Sequence, residues 1–476
     1  MIVRTLLVAL VVSWSACPGG AIFAEETKVG AASVVITPKV GTPMAGYYFE
    51  RKSEGIRDDL FAKAVVLERD GVRAALVSLD LISTSRGMVE DARAEIERIT
   101  KVPGLNVMIS ATHAHTGPIL TGRGSRDAEF GGKNPLTQEW NAELPKRIAQ
   151  TVKEAEARLV DAKILAARGA ETGIAFNRRF HMKDGTVGWN PGKLNPKIHK
   201  PAGPIDPDVD IVYAEAAKDR APLMTYVNHP VHLDNVGGAF FSADMPGTIS
   251  RLMGQVKGAG MVTCYTSGCC GDINHINVKW AEPQGGPANA ERMGIILTGS
   301  ILKAWPDLKP VAPGPLKAKS VTVNLPLAPF SAEDLPKAKA IVEQHRANQT
   351  KNPPNFLDAV WAYRVLDSEA RHGEPIPVEV QVIALGTDVA WVSLPGEIFV
   401  EIGLAIKQDS PFPQTTIAEL ANGAIGYIPT LRAYTQGNYE VVSARCAAGS
   451  GEMLVDAAIK LLKELYAENS AAVAKK

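Results

Sequence analysis

Short apolar runs broken by polar turns dominate the first half of the chain. Residues 64–68, 74–78, 107–109, 211–214 and 223–227 are rich in Val, Ile, Leu and Ala and too short for helices, so they read as strands. Longer segments carry a helical repeat. Over residues 145–159, Ile148, Val152, Ala155 and Leu159 share one face, with Pro145 suited to a first turn; a start near Thr137 would instead make Pro145 a kink. A second helix is predicted over 288–305. A third spans 452–466, with Leu454, Ala458, Leu461, Leu462 and Leu465 on one side. This alternation predicts an α/β fold, mixed β-sheets flanked by helices in one large domain.

Turn chemistry refines the picture. Asp70-Gly71 marks a hairpin between the first two strands. Residues 378–384 and 389–392, joined through Gly386-Thr387-Asp388, form another, which delivers Leu394-Pro395-Gly396-Glu397 to the start of a helix. Residues 189–207, rich in Pro and Gly, read as a long surface loop or lid. The proline-rich stretch 306–315 is a candidate divider between two halves.

The 476 residues carry 51 basic and 51 acidic side chains, a formal charge of zero. That balance argues against nucleic acid or an anionic membrane surface as partner. The first residues read as a secretory signal: Arg4, an apolar core over 6–12, then small residues to a cleavage site near Ala24. The core is too short to span a bilayer. The expected product is therefore an exported chain, secreted or periplasmic, of residues 25–476, without a transmembrane segment. Trp14-Ser15-Ala16-Cys17 offers lipidation at Cys17 as an alternative, with Trp14 where Leu is usual. Cys264, Cys269, Cys270 and Cys446 remain after processing, and their spacing does not select among the three disulfide pairings.

Candidate chemistry gathers where apolar runs end. Thr112-His113-Ala114-His115-Thr116-Gly117-Pro118 places two histidines two residues apart, on one side of the chain if the strand continues. Imidazoles so held suit a divalent metal, zinc above all. Asn228-His229-Pro230-Val231-His232 repeats the arrangement. Of its two histidines, His229 is the structural one, since a strand end shows only alternate residues to one face. Asp244 is placed to orient a ligating histidine from behind. Asp80, at another strand end, is either a turn residue or a similar support. Gly268-Cys269-Cys270-Gly271-Asp272-Ile273-Asn274-His275 is a turn of the kind that brings backbone N–H groups to a substrate oxyanion. Cys269-Cys270 reads as packing, or as a disulfide to Cys264 or Cys446, rather than a redox pair. Gly449-Ser450-Gly451 has no strand before it, so Ser450 reads as a helix cap, not a nucleophile.

Taken in order, these motifs resemble the neutral (non-lysosomal) ceramidase family. The match starts at Ile36-Thr37-Pro38 and Pro43-Met44-Ala45-Gly46-Tyr47 and continues through Gly55-Ile56 and Ser78-Leu79-Asp80. It takes in the histidine segment, Asn177-Arg178, Val231-His232, Gly271-Asp272, Pro395-Gly396-Glu397 and Tyr427, and it ends at Tyr439-Glu440. The resemblance implies a zinc amidohydrolase acting on a lipid or other small N-acyl substrate. It implies His113, His232, Glu397 and Tyr427 as metal ligands, and His115 against the scissile amide. Arg178 would lie near the substrate head group and Tyr439 would hydrogen-bond the substrate.

Two departures alter what carries over. Family members have a serine, assigned as nucleophile, two residues after the Asp of the Gly-Asp loop; here Asp272 is followed at that position by Asn274, then by His275. An amide cannot serve as nucleophile, so zinc-activated water is the expected attacking group, with Asn274 a candidate oxyanion donor. The family's ceramide hydrolases also carry a C-terminal β-sandwich domain, and this chain is expected to lack it. The alternative to an N-acyl amide hydrolase is a relative of other specificity, an esterase or deacylase, or a non-catalytic protein that binds an exported ligand.

Overall fold

The computed structural model describes residues 27–347 and 354–475. The expected signal segment, Cys17 and the expected cleavage site near Ala24 lie outside the described residues. A sheet of nine strands organises the first part of the chain. From one edge it runs Val262–Thr266, Pro222–Asn228, Asp208–Ala216, Val160–Ala170, Thr27–Val35, Phe61–Arg69, Val72–Leu79 and Val107–Ala111, with Lys309–Pro310 pairing beside Val160–Ala170. The outermost pair at each end is parallel and the pairs between are antiparallel. Asp70 and Gly71 both take positive φ, 51° and 79°, the geometry a two-residue hairpin requires.

The sheet curls on itself. Ser78, near one edge, donates its hydroxyl to the carbonyl of Tyr265 on the opposite edge strand. The inside of the curl is filled by Val65, Leu76, Met108, Val212, Tyr226 and their neighbours. Trp391, Ile383 and Leu385 join that same core. They come from a second sheet, ordered Leu316–Leu325, Ile376–Leu385, Val389–Ser393 and Gln414–Ala418. A shared core makes the two sheets one domain, because neither could bury its inner face alone. The proline-rich stretch over 306–315 is accordingly not a divider: Lys309 pairs with Ala166 of the first sheet, and Gly314 accepts from Arg69.

Helices cover the outer faces. Arg86–Ile99 and Pro135–Ala157 pack on one side of the first sheet, Met245–Lys257 and Pro287–Ala304 on another, and Val400–Asp409 and Ser450–Ala474 on the second sheet. Pro145 lies inside Pro135–Ala157, so the helix starts ten residues before the proline, capped by Asn134 accepting from Leu136 N–H. The expected loop over 189–207 is partly ordered: Ile198–Pro201 and Val187–Trp189 flank Arg179–Met182 in a three-stranded sheet. Ser450 is the first residue of its helix, and the cap is Gly449 at φ 91°, without a side-chain bond. The four cysteines are buried free thiols, so the disulfides weighed from sequence do not form.

Candidate active site

Three imidazoles meet where the curled sheet brings its strand ends together. His113 follows Val107–Ala111 with φ 74°, a left-handed conformation costly for a side chain of this size. Its N–H donates to Leu81 O at 2.9 Å, and its Nδ1 lies 2.7 Å from Ile82 O. A carbonyl can only accept, so Nδ1 carries the proton and Nε2 presents a lone pair. The strand ends at Ala111, so His113 and His115 do not converge by strand alternation, as expected from sequence. The positive φ turns them together, with ring centroids 4.8 Å apart.

His232 reaches the same point from beyond Pro222–Asn228. Its Nε2 stands 3.1 Å from that of His113, and His115 Nε2 stands 3.4 Å from His113 Nε2. Nitrogens about 2.0–2.1 Å from one tetrahedral ion stand about 3.3–3.4 Å apart, so the spacing fits a shared metal. The three residues could hold a metal ion. His229 turns away, its Nδ1 2.9 Å from Asp208 O.

The carboxylate comes from the second sheet's side. Glu397–Ile398 and Tyr427–Ile428 form a two-stranded parallel ladder in which Glu397 and Tyr427 are register partners. Parallel register points both side chains the same way, and the Tyr427 hydroxyl hydrogen-bonds the Glu397 carboxylate. Glu397 Oε2 lies 3.6 Å from His113 Nε2. Gly271 is essential to this placement. A Cβ there would stand 2.5 Å from the Glu397 carbonyl oxygen.

Electrostatics suit a cation. Burial raises the Glu397 carboxyl, but the hydrogen bond and charge of His113, then the bond from Tyr427, outweigh it and hold it down to about 2. Burial, reinforced by His113, lowers His115 to about 3, and burial with the same neighbour keeps His232 well below the usual imidazole range. The site thus offers two neutral imidazoles, His115 and His232, beside an ionised carboxylate, while burial of His113 is outweighed by Glu397 and Glu419, which raise it.

Around it the other sequence candidates fall into place. Arg178, 3 % exposed, donates from Nε to Glu440 at 2.9 Å and from Nη2 to Gly271 O at 2.7 Å. Its guanidinium lies 5.3 Å from the Tyr427 ring and 6.0 Å from that of Tyr439. Asp272 accepts from Val400 N–H and from Asn177 Nδ2, each at 2.8 Å, so it fixes the helix that follows Glu397. Burial lifts its carboxyl to about 6. Asn274 accepts from Ile276 N–H and donates to Asn190, both at 3.0 Å. The amide expected as an oxyanion donor is therefore tied into the loop. His275 Nδ1 sits 3.0 Å from Asp234 Oδ1.

Asp244, expected to support a histidine, and Asp80, open between a turn role and such support, act elsewhere. Asp244 accepts from Val236 N–H and Met245 N–H at the start of Met245–Lys257, and does not reach His232. Asp80 accepts from Phe61 N–H inside the sheet, 3.9 Å from Lys63 Nζ. Sequence reasoning missed the role of Glu440, fully buried between Arg178 and Arg179, and that of Glu419, which accepts from Ile398 N–H at 2.8 Å and Cys270 N–H at 3.1 Å. An acidic residue inside an apolar run, as in Ile417-Ala418-Glu419-Leu420, was the available signal for the second.

No protein-family model matches the chain. It is 23% identical to the neutral ceramidase of Pseudomonas aeruginosa over an alignment of 504 residues, covering 90% of this chain and 71% of the relative. The crystal structure of neutral ceramidase from Pseudomonas aeruginosa superposes with a TM-score of 0.70 at 20% identity, over 92% of this chain and 75% of that one. A ceramidase complexed with C2 gives 0.70 at 19%, over 92% and 76%.

Proposed function

We propose that this chain, a homologue of neutral ceramidase, is an exported zinc-dependent hydrolase of N-acyl amide bonds. The observation that carries the reading is the meeting of His113, His115 and His232 beside the Glu397–Tyr427 pair, on a fold shared with a ceramidase. His113, His232, Glu397 and Tyr427 would hold the metal, a donor set of two nitrogens and two oxygens that zinc accepts. When bound, zinc supplies Lewis acidity towards the acyl carbonyl and lowers the pKa of water.

The chain's own residues do the rest. His115, kept neutral by burial, would stand beside the scissile amide, where its free nitrogen can take a proton from the attacking water and pass it to the leaving nitrogen. Tyr439 packs 5.3 Å from Tyr427 and offers a hydroxyl to the substrate. Arg178 stands beside both rings and would lie near the substrate head group, with Glu440 and Gly271 O taking two of its five N–H donors. One water is consumed: its oxygen joins the acyl carbon, the C–N bond breaks, and the nitrogen gains a proton. Asn274 cannot form an acyl intermediate, so none is expected.

Metal analysis and a panel of N-acyl compounds test the reading. Zinc at one per chain with amide hydrolysis supports it; full metal occupancy in a His113→Ala/His232→Ala double variant refutes the ligand set. The place of Asn274 where the family has serine favours one second reading, a binding protein without turnover. Failure of the zinc-loaded protein to hydrolyse any N-acyl or ester compound would select it. Export is tested by fractionating cells and sequencing the mature N-terminus, expected just after Ala24.

A further inference from the structure

Beyond the histidine loop the chain sets two arginines around a single carboxylate. Asp127 Oδ2 lies 3.9 Å from Arg123 Nε, and its Oδ1 lies 3.5 Å from Arg126 Nη2. The Arg123 side chain is only 10% exposed, and its buried Nε has no hydrogen-bond partner among the described residues. A guanidinium N–H withdrawn from water and left unpaired is costly, and a planar cation of this kind matches a carboxylate or sulfonate. With one acid between two bases, the group keeps a net positive charge.

Its position relates it to the proposed chemistry. Arg123 feels the charge of Glu397. It lines a cavity of about 960 Å³ that reaches Pro395 and Ile425, behind the Glu397–Tyr427 ladder, without including the proposed ligands themselves. Arg126 lies 4.8 Å over the Tyr48 ring. From Tyr48 the rings continue to Phe356 at 5.4 Å, Tyr439 at 5.5 Å and Tyr427 at 5.3 Å. A row of rings thus runs from the proposed metal ligand to Arg126, suited to an apolar chain that ends or branches in an anion.

We propose that the substrate is an N-acyl compound bearing an anionic group, carboxylate or sulfonate, which Arg123 and Arg126 hold. The inference rests on the amide-hydrolase reading and narrows its substrate class: ceramide, with an uncharged head group, would leave these arginines unanswered.

The test compares N-dodecanoylglycine and N-dodecanoyltaurine with uncharged N-dodecanoylethanolamine on the zinc-loaded full chain. The anionic compounds should show kcat/KM higher by about ten- to a hundredfold, the worth of a hydrogen bond to a charged group. The preference should reside in KM, shrink in high salt, survive in part in Arg123→Lys and fall towards one in Arg123→Gln/Arg126→Gln. Melting curves of each variant establish that it folds. Equal or better use of the ethanolamide by the wild-type protein, or an undiminished preference in the double variant, overturns the proposal while leaving amide hydrolysis standing. If none of the three is cleaved, the hydrolase reading fails, and equilibrium binding of the same compounds still decides this one. Tighter binding of the acids, lost in the double variant, supports it; equal binding refutes it.

Discussion

Replacing Glu440 by alanine should be among the most damaging single changes outside the imidazole cluster. Its carboxylate is 0 % exposed and lies 2.9 Å from Arg178 Nε and 2.7 Å from Arg179 Nη1, themselves 3% and 2% exposed. Backbone carbonyls answer part of each guanidinium: Gly271 O at 2.7 Å for Arg178, Gly437 O at 3.0 Å for Arg179. They neutralise neither charge. Removing the acid leaves two like charges buried together, and losing one partner of a buried ion pair costs about 3–5 kcal/mol. Against a total stability of about 5–15 kcal/mol, that is a large fraction. Urea unfolding monitored by circular dichroism should show the midpoint falling with little change in slope. Glu440→Gln keeps the shape but turns an N–H₂ towards one arginine, and should lose about 2–4 kcal/mol. Arg179→Met combined with Glu440→Gln should be less damaging than the sum of the two, since one unpaired cation is then gone. A Glu440→Ala protein within about 1 kcal/mol of wild type would show the reasoning to be wrong.

Further consequences follow from the same contacts. Between about pH 4 and 6 the unfolded chain releases the Asp272 proton before the folded one does, because burial lifts that carboxyl to about 6. Stability should therefore fall by about 3 kcal/mol across that window and level off above it, and Asp272→Asn should flatten the slope of melting temperature against pH. Lys407 Nζ lies 2.8, 3.0 and 3.6 Å from Asp206, Asp208 and Asp210. Lys407→Met should cost about 3–5 kcal/mol, because it leaves three carboxylates together without their cation; a loss below about 1 kcal/mol would contradict it. Gly271→Ala should shift the Glu397 backbone and lower metal per chain while the fold persists, and full metal content would refute the packing argument. Asn274→Ala should destabilise by about 1–3 kcal/mol through Ile276 N–H and Asn190, which lose their partners. A larger effect on kcat than on stability would restore it as an oxyanion donor.

What the sequence revealed depended on how local each cause is. Strands such as Phe61–Arg69 and Val389–Ser393 were legible because one contiguous run creates them, and Asp70-Gly71 because its turn needs only two residues. The start of the helix around Pro145 stayed open between Pro145 and Thr137, since a proline favours a first turn; the structure takes the longer alternative, from Pro135. Long-range causes were hidden. Asp244 sits in a plausible supporting position beside the histidines, yet the donors that claim it are those of its own helix start. Nothing in the order of residues shows that strands at opposite ends of a sheet meet through Ser78 and Tyr265. That curl is what carries His113 to His232, 119 positions away.

Asn274, where the resemblance implies a serine, is held independently of the imidazole cluster. Ile273–Asn274 pairs with Phe176–Asn177, so the position is held by a backbone ladder whatever its side chain does. In this chain the side chain has been recruited into that structure, through Asn190 and Ile276. The imidazoles, Glu397 and Tyr427 are placed by other segments: the strand ends, the positive φ of His113, and the ladder pairing Glu397 with Tyr427. A change at position 274 can therefore leave undisturbed the nitrogens and carboxylate that would hold a cation. Chemistry that survives such a change must draw its attacking oxygen from water. On the proposed hydrolase reading, Tyr439, His115 and the arginine pair beyond them would position the amide and set substrate choice.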